Sequence, residues 1–246
     1  MKIIFLGTGH GVPAADRSCF SAMIRVGDKS YYIDAGAAVA ERSMQAGFDP
    51  SEAVAVFTTH AHGDHLAGLY QFIDLFNWRY RESELDVYLT EERISSAMTE
   101  LVSATARELD RDRIRIHTVT PDFIYDDGTA RVSLFKTAHI KALGRPSYGI
   151  IFEAEGKRIC FSGDLSQKLS ERDFPTAAYD EGTDLLVLEM AHFGIGELRE
   201  YLPRIKAKAV AFAHVYPLGK YSDIATLDGT YSFKTLTPSD MDSIEI

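Results

Sequence analysis

Residues 53–68 read AVAVFTTHAHGDHLAG, a short apolar run that empties directly into a loop with three histidines and an aspartate inside six positions. No other stretch constrains the fold as strongly. The apolar run has the length and β-branched content of a buried strand, and strand ends are where a rigid sheet can hold loop side chains in a fixed relation. In extended or turn backbone His60 and His62 point the same way, because side chains alternate with period two. Both imidazoles can therefore reach one ion at about 2.0–2.1 Å. Asp64 and His65, one on each of the two positions past Gly63, then face a second. A polar loop whose histidines cap the following helix is the plainer reading, and the density of ligand-type side chains argues against it.

Three further residues each follow an apolar, strand-like run: His139 after VSLFKTA, Asp164 after ICFSG and His214 after AVAFA. Taken singly they are unremarkable, since a lone histidine behind a strand is more often structural and SGD is a common turn. Taken with the first loop they complete two ligand sets. His60, His62 and His139 would hold one divalent ion, and Asp64, His65 and His214 another. The Asp164 carboxylate would bridge them at a separation of about 3.5–4 Å. Imidazoles with carboxylates suit zinc best, and manganese or iron also fit such a donor set.

The surrounding chain supplies the sheets these strand ends require. KIIFL, CFSAMIRV, SYYIDA and AVAVFTT read as strands, with a hairpin at VGDK. A helix is expected from Ala35 to Gly47, then helices over Leu66 to Tyr80 and Glu91 to Leu109 with the strand LDVYL between them. RIRIHTV, RVSLFKTA, YGIIFEA and RICFSG follow as strands, with turns at DDGT and AEGK. Then come LLVLEMA, a short helix over Glu197 to Ile205, and KAVAFAHV. The last residues are polar and turn-rich, with an alternating SIEI suited to an edge strand. Strand-rich portions in both halves, interspersed with helices, imply two packed sheets with helices outside, within a single domain over residues 1–246.

Charge and cysteine content narrow the setting. Lys and Arg total 26 against 36 Asp and Glu, a formal net charge of -10, which works against non-specific attraction to nucleic acid or an anionic membrane. The two cysteines, Cys19 and Cys160, are expected to be buried thiols in a cytoplasmic protein. No apolar run reaches the length of a membrane span. The C-terminal tail leaves a homodimer contact open without requiring one.

The loop His60, His62, Asp64, His65, followed in order by His139, Asp164 and His214, resembles the metallo-β-lactamase superfamily over nearly the whole chain. That resemblance implies an α+β fold: a four-layer αββα sandwich of two mixed sheets with helices on both outer faces, and a dinuclear, hydrolytic site at one edge. Within the superfamily FLGTGHGVP, RPSYGIIF and LLVLEMAHF resemble the ribonuclease Z and phosphodiesterase branch. Ribonuclease Z carries a long arm that grips tRNA. Here some two dozen residues separate His139 from Asp164 and read as a tight hairpin. No equivalent of its His-Ser-Thr loop follows LEMAHF.

The chemistry expected of such a centre is hydrolysis by a water whose pKa falls from 15.7 to about 7 on metal coordination. Asp64 would orient that water, and His192 in EMAHF, positioned by Glu189, would protonate the leaving group. A small phosphodiester is the expected substrate, with RNA disfavoured by the charge and the missing arm. A ribonuclease Z-like endonuclease, a carboxylic ester, thioester or lactone hydrolase, and a di-iron redox protein are the alternatives. Di-iron relatives carry glutamate where His62 stands. His10 in the glycine-rich GTGHG turn is a candidate for the pocket mouth, as are Arg145, Ser147 and Tyr148 for substrate contact. His117 reads as a surface strand residue. Basic runs at Arg111, Arg113, Arg115 and at Arg204, Lys206, Lys208 read as solvated faces.

Overall fold

The computed structural model describes the chain except residues 106, 168 and 170–172. Six strands open it: β1 (Lys2–Gly7), β2 (Ser21–Val26), β3 (Lys29–Ile33), β4 (Ala53–Phe57), β5 (Leu85–Leu89) and β6 (Ile114–Thr118). A second set follows: β7 (Ile124–Asp126), β8 (Ala130–Lys136), β9 (Tyr148–Ala154), β10 (Lys157–Phe161), β11 (Leu185–Met190), β12 (Ala209–Val215) and β13 (Lys234–Leu236). The chain then returns to the first set with β14 (Ser243–Glu245). The sheets run β14-β1-β2-β3-β4-β5-β6 and β13-β12-β11-β10-β9-β8-β7. Each is mixed. In the first, β1 to β3 are antiparallel and β3 to β6 parallel; in the second, β7 to β10 are antiparallel and β10 to β13 parallel.

Alternation along each strand divides the apolar residues between layers. Ile3 and Phe5 of β1 face the core between the sheets, with Phe57, Phe152, Phe161 and Val187. Ile4 and Leu6 face the opposite way, toward α1 (Val39–Gln45), α3 (Leu69–Trp78) and α4 (Glu92–Thr105), packing with Val39, Phe72, Phe76 and Val102. On the far sheet Leu186, Leu188 and Phe212 turn outward under Leu198, Tyr201 and Ile224. These last come from α5 (Ile195–Leu198), the segment after it and α6 (Lys220–Ala225). The result is helices, sheet, sheet, helices.

Expected and observed helices differ where tertiary contacts claim the backbone. Ala35 to Ala38 are not helical: Ala35 O accepts Gly68 N–H at 2.7 Å in place of an intrahelical donor, while Ala35 N–H donates to His65 O at 2.9 Å and Ala37 N–H to Ser21 Oγ at 2.9 Å. Those bonds pin the segment beneath the histidine loop and α1 starts only at Val39. The expected helix from Leu66 to Tyr80 is two, α2 (Gly63–Leu66) and α3, parted at Gly68, whose N–H donates to Ala35 O at 2.7 Å. α4 ends at Thr105; its expected continuation to Leu109 passes position 106, outside the described residues. Between Glu197 and Ile205 the helix stops at Leu198 and resumes as a 3-10 turn at Leu202–Arg204, where Pro203 has no N–H to continue an α-helix. SIEI does form an edge strand, β14, pairing Ile244 with Ile3 of β1. β7, three residues long, carried no sequence signal.

Candidate metal centre

His60 and His62 leave the end of β4, His139 follows β8 and Asp164 follows β10, so three strands deliver one cluster. His60 Nε2 lies 3.0 Å from His62 Nδ1, and His139 Nε2 lies 3.2 Å from that same His62 nitrogen. Asp164 Oδ2 is 3.7 Å from His60 Nε2 and 3.6 Å from His139 Nε2. Ligands about 2.05 Å from a tetrahedral ion stand about 3.3 Å apart, close to these spacings. The rings are oriented from behind: His139 Nδ1–H donates to Leu165 O at 3.3 Å, and Thr59 Oγ1 lies 3.1 Å from His60 Nδ1. Each such contact leaves Nε2 free to offer its lone pair inward.

The second cluster is held more tightly. His65 Nδ1–H donates to Asp34 Oδ2 at 2.8 Å, and Asp34 also accepts Thr59 N–H at 2.8 Å and Thr59 Oγ1–H at 2.9 Å. Asp34 is fully buried and sits at φ 57°, a conformation disfavoured for a residue with a Cβ. His214 likewise takes φ 53° at the end of β12, its N–H donating to Thr8 O at 2.8 Å. His65 Nε2 lies 3.5 Å from Asp164 Oδ2, and His214 Nδ1 lies 3.5 Å from Asp164 Oδ1. Both nitrogens are buried without a hydrogen-bond partner. Such atoms are costly to leave unsatisfied, and a cation between them and the Asp164 carboxylate would satisfy all three. Asp64 Oδ2 stands 3.3 Å from His214 Nε2 and 3.7 Å from His65 Nε2. The structure thus gathers His65, Asp164 and His214 as one group, and Asp64 with His214 and His10 as a neighbouring one. The described residues include His/Asp clusters able to hold metal, and Asp164 is common to two of them.

Charge and burial agree with this reading. Burial pushes the Asp164 carboxyl up, but the imidazoles of His214, His65 and His60 hold it well below the usual carboxylate range. Burial, helped by the neighbouring imidazoles of His65, His139 and His62 and opposed by the Asp164 carboxylate, drives His60 well down and keeps its lone pair available. Burial also lowers His65, yet the carboxylates of Asp164 and Asp34 outweigh it and raise this imidazole well above its ordinary value. A positive charge is stabilised at that position, and a bound cation supplies one.

Two glycines let the backbone close on Asp64. A Cβ on Gly11 would stand 2.7 Å from Asp64 Oδ2, and one on Gly36 would stand 1.7 Å from the Asp64 carbonyl oxygen. Asp34 and Thr59 escaped the sequence reading. The available signal was an acid directly behind the apolar run SYYI, the same pattern that singled out Asp164.

Glu189 and His192 also reach the centre. Glu189 is buried; its Oε1 accepts His192 Nδ1–H at 2.9 Å and Leu165 N–H at 2.8 Å, and its Oε2 accepts Ala191 N–H at 2.6 Å. His192 Nε2 faces Asp164 Oδ2 at 3.9 Å. His117 is remote, stacked on Tyr88 and bonded to Asp86 at 2.8 Å. Arg145 is bound to Glu91 at 2.7 Å, and Ser147 bonds Thr137 at 2.8 Å. Tyr148 is buried, its N–H donating to Thr59 O at 2.9 Å. In the basic runs Arg113 pairs with Asp110, Arg115 with Asp86 and Glu84, Lys206 with Glu181 and Lys208 with Asp184, while Arg204 lies over Tyr179. Cys19 and Cys160 are free thiols, half-buried and buried.

Residues 1–226 match the family described as Anti-Pycsar protein Apyc1. The chain belongs to the Apyc1 family. This Apyc1-family chain is 29% identical over 156 residues to the ribonuclease Z of Methanocaldococcus jannaschii, covering 62% of the chain and 47% of that protein. It spans half or less of the length of the curated relatives it matches. Its fold matches the metallo-beta-lactamase fold protein YhfI from Bacillus subtilis with TM-score 0.78 at 18% identity, covering 100% of the chain and 99% of YhfI. Human tRNase Z, short form (ELAC1), superposes with TM-score 0.77 at 19% identity, covering 100% and 99%. The Apyc1-family sandwich therefore has the metallo-β-lactamase fold expected from its loop. No helix among the described residues is long and apolar enough to cross a membrane.

Proposed function

We propose that the protein is a phosphodiesterase that uses two divalent metal ions, most suitably zinc, against a small phosphodiester. The observation that carries this reading is the pair of ligand clusters sharing Asp164, with the buried nitrogens of His65 and His214 otherwise unsatisfied. His60, His62 and His139 would hold one ion, Asp64, His65 and His214 the other, with Asp164 shared between them. Two such ions supply an activated water and a positive field for the charge that develops on phosphorus-bound oxygens. Asp64, beside His214 and backed by Gly11, orients the attacking water. His192 delivers a proton to the departing oxygen, and Glu189 fixes the ring by accepting its Nδ1–H so that Nε2 faces the centre.

A small substrate is favoured over RNA by three features. The segment between His139 and Asp164 contains the hairpin of β9 and β10, closed at Glu155 and Gly156 with no room for a protruding arm. The net charge is -10, and most of the basic side chains in the two runs already have acidic partners. A cleft of about 600 Å³ lined by Lys136, Lys141, Arg145, Ser147 and Tyr148 reaches Ala138, next to His139, and would take a nucleotide-sized group. The similarity to ribonuclease Z sequences supports RNA cleavage as the second reading.

The test is hydrolysis by zinc-loaded protein of bis-p-nitrophenyl phosphate, 3′,5′-cyclic nucleotides and a precursor tRNA, with His62→Ala in parallel. Turnover of the small esters that His62→Ala loses is expected. Cleavage of the RNA alone would favour the second reading, and turnover of carboxylic esters alone would discard both.

A further inference from the structure

His10 is the residue at the centre that the reading above leaves without a task. It follows β1, and one of its ring nitrogens lies within 4.8 Å of ligand atoms of Asp64 and His214, a position from which it could be taken for a further metal ligand. Its hydrogen bonding argues otherwise. The Val12 N–H donates to His10 Nδ1 at 3.0 Å, which occupies the Nδ1 lone pair. A neutral imidazole accepting at one nitrogen carries its proton on the other, so Nε2 is an N–H donor. For Nε2 to ligate a metal, the proton would have to move to Nδ1 and point at the Val12 N–H. A doubly protonated ring meets the same clash.

The ring is also fixed in place. It stacks on Tyr216 with centroids 4.9 Å apart and planes 16° apart, and it stands edge-on to His214 at 4.9 Å and to His192 at 6.0 Å. Nε2 has no hydrogen-bond partner among the described residues. A preorganised donor on a ring beside Asp64 and His214 is suited to a negatively charged acceptor, because hydrogen bonds to charged groups are the strong ones. A neutral donor has a further property here. Arg or Lys at this position would repel an ion held by His65 and His214, whereas a neutral N–H would not.

We propose that His10 is a tautomer-locked hydrogen-bond donor to a non-bridging phosphoryl oxygen of the substrate, and not a metal ligand. The proposal deepens the phosphodiesterase reading and rests on it for the identity of the acceptor. It makes His10 a substrate-positioning residue contributed by the GTGHG turn, with Val12 setting its tautomer and Tyr216 its ring plane.

Zinc-loaded wild type, His10→Ala and His10→Gln provide the test. In ¹⁵N-histidine NMR of the wild type, His10 is expected as the Nε2–H tautomer; an Nδ1–H tautomer or a metal-shifted Nε2 would overturn the proposal. Zinc content of His10→Ala should equal that of wild type, and loss of an ion would overturn it. Inorganic phosphate should bind His10→Ala about 10- to 100-fold more weakly, the range for a bond to a charged group. His10→Gln, whose side-chain amide can replace the donor, should recover part of that loss. Unchanged phosphate affinity in His10→Ala would overturn the proposal. If the wild type hydrolyses no phosphodiester, the phosphodiesterase reading fails, while the tautomer, zinc and phosphate measurements still decide the role of His10.

Discussion

The His60, His62 and His139 cluster meets through imidazole nitrogens 3.0 and 3.2 Å apart, with light support behind the rings of His60 and His139. The His65 and His214 cluster is built on a buried carboxylate, two left-handed backbone positions and glycines packed against Asp64. The first cluster would rely on an ion to hold its ligands together. The second is organised before an ion arrives, since strained backbone and a buried Asp–His pair persist only where surroundings over-determine them. The two ions should therefore differ in how they respond to changes around them.

The largest effect belongs to Asp164, the one carboxylate common to both clusters. Asp164→Ala should drop bound zinc from about two ions per chain to fewer than one and abolish turnover, as read by elemental analysis and bis-p-nitrophenyl phosphate hydrolysis. Retention of one tightly held ion would show that the second cluster closes without the bridge. Next comes proton delivery. His192→Gln should lower the rate with a poor alkoxide leaving group by about 10²–10⁴, leave p-nitrophenolate release nearly unaffected and keep the metal content. An equal loss with both leaving groups would make His192 a structural or metal-holding residue.

A smaller effect separates the clusters directly. Asp34→Asn removes the carboxylate behind His65 and should weaken only the second ion, by about 10–100-fold in a chelator competition. If both ions weaken together, the clusters are not independently organised. Smallest is Thr59→Val, which deletes the hydroxyl bonded to Asp34 at 2.9 Å and should lower stability by about 1 kcal/mol in urea denaturation while metal content stays constant.

What the sequence disclosed follows the same division. His60, His62, Asp64 and His65 announce themselves because four ligand types crowd behind one apolar run, and His139, Asp164 and His214 repeat that strand-end pattern. Glu189 and His192 were legible as an acid and a histidine within EMAHF. Asp34 carried only the signal of an acid behind SYYI; its role was not legible, because its partner His65 is 31 positions away and only the parallel pairing of β3 with β4 brings the two together. The helix beginning at Val39 rather than Ala35 was hidden for the same reason: the backbone before it is bonded to His65, Gly68 and Ser21, remote in sequence. Local pattern carried most of the strands, though not β7 or β13, and the layer order. It could not carry the contacts that prepare the second cluster.

The most direct measurement is an anomalous-diffraction structure of zinc-soaked protein, with occupancy refined at each cluster. Two zinc ions about 3.5–4 Å apart are expected. One should be held by His60, His62 and His139, the other by Asp64, His65 and His214, with an Asp164 oxygen on each. A single ion, or zinc bound away from Asp164, would contradict the two-metal centre on which the proposed phosphodiesterase chemistry depends.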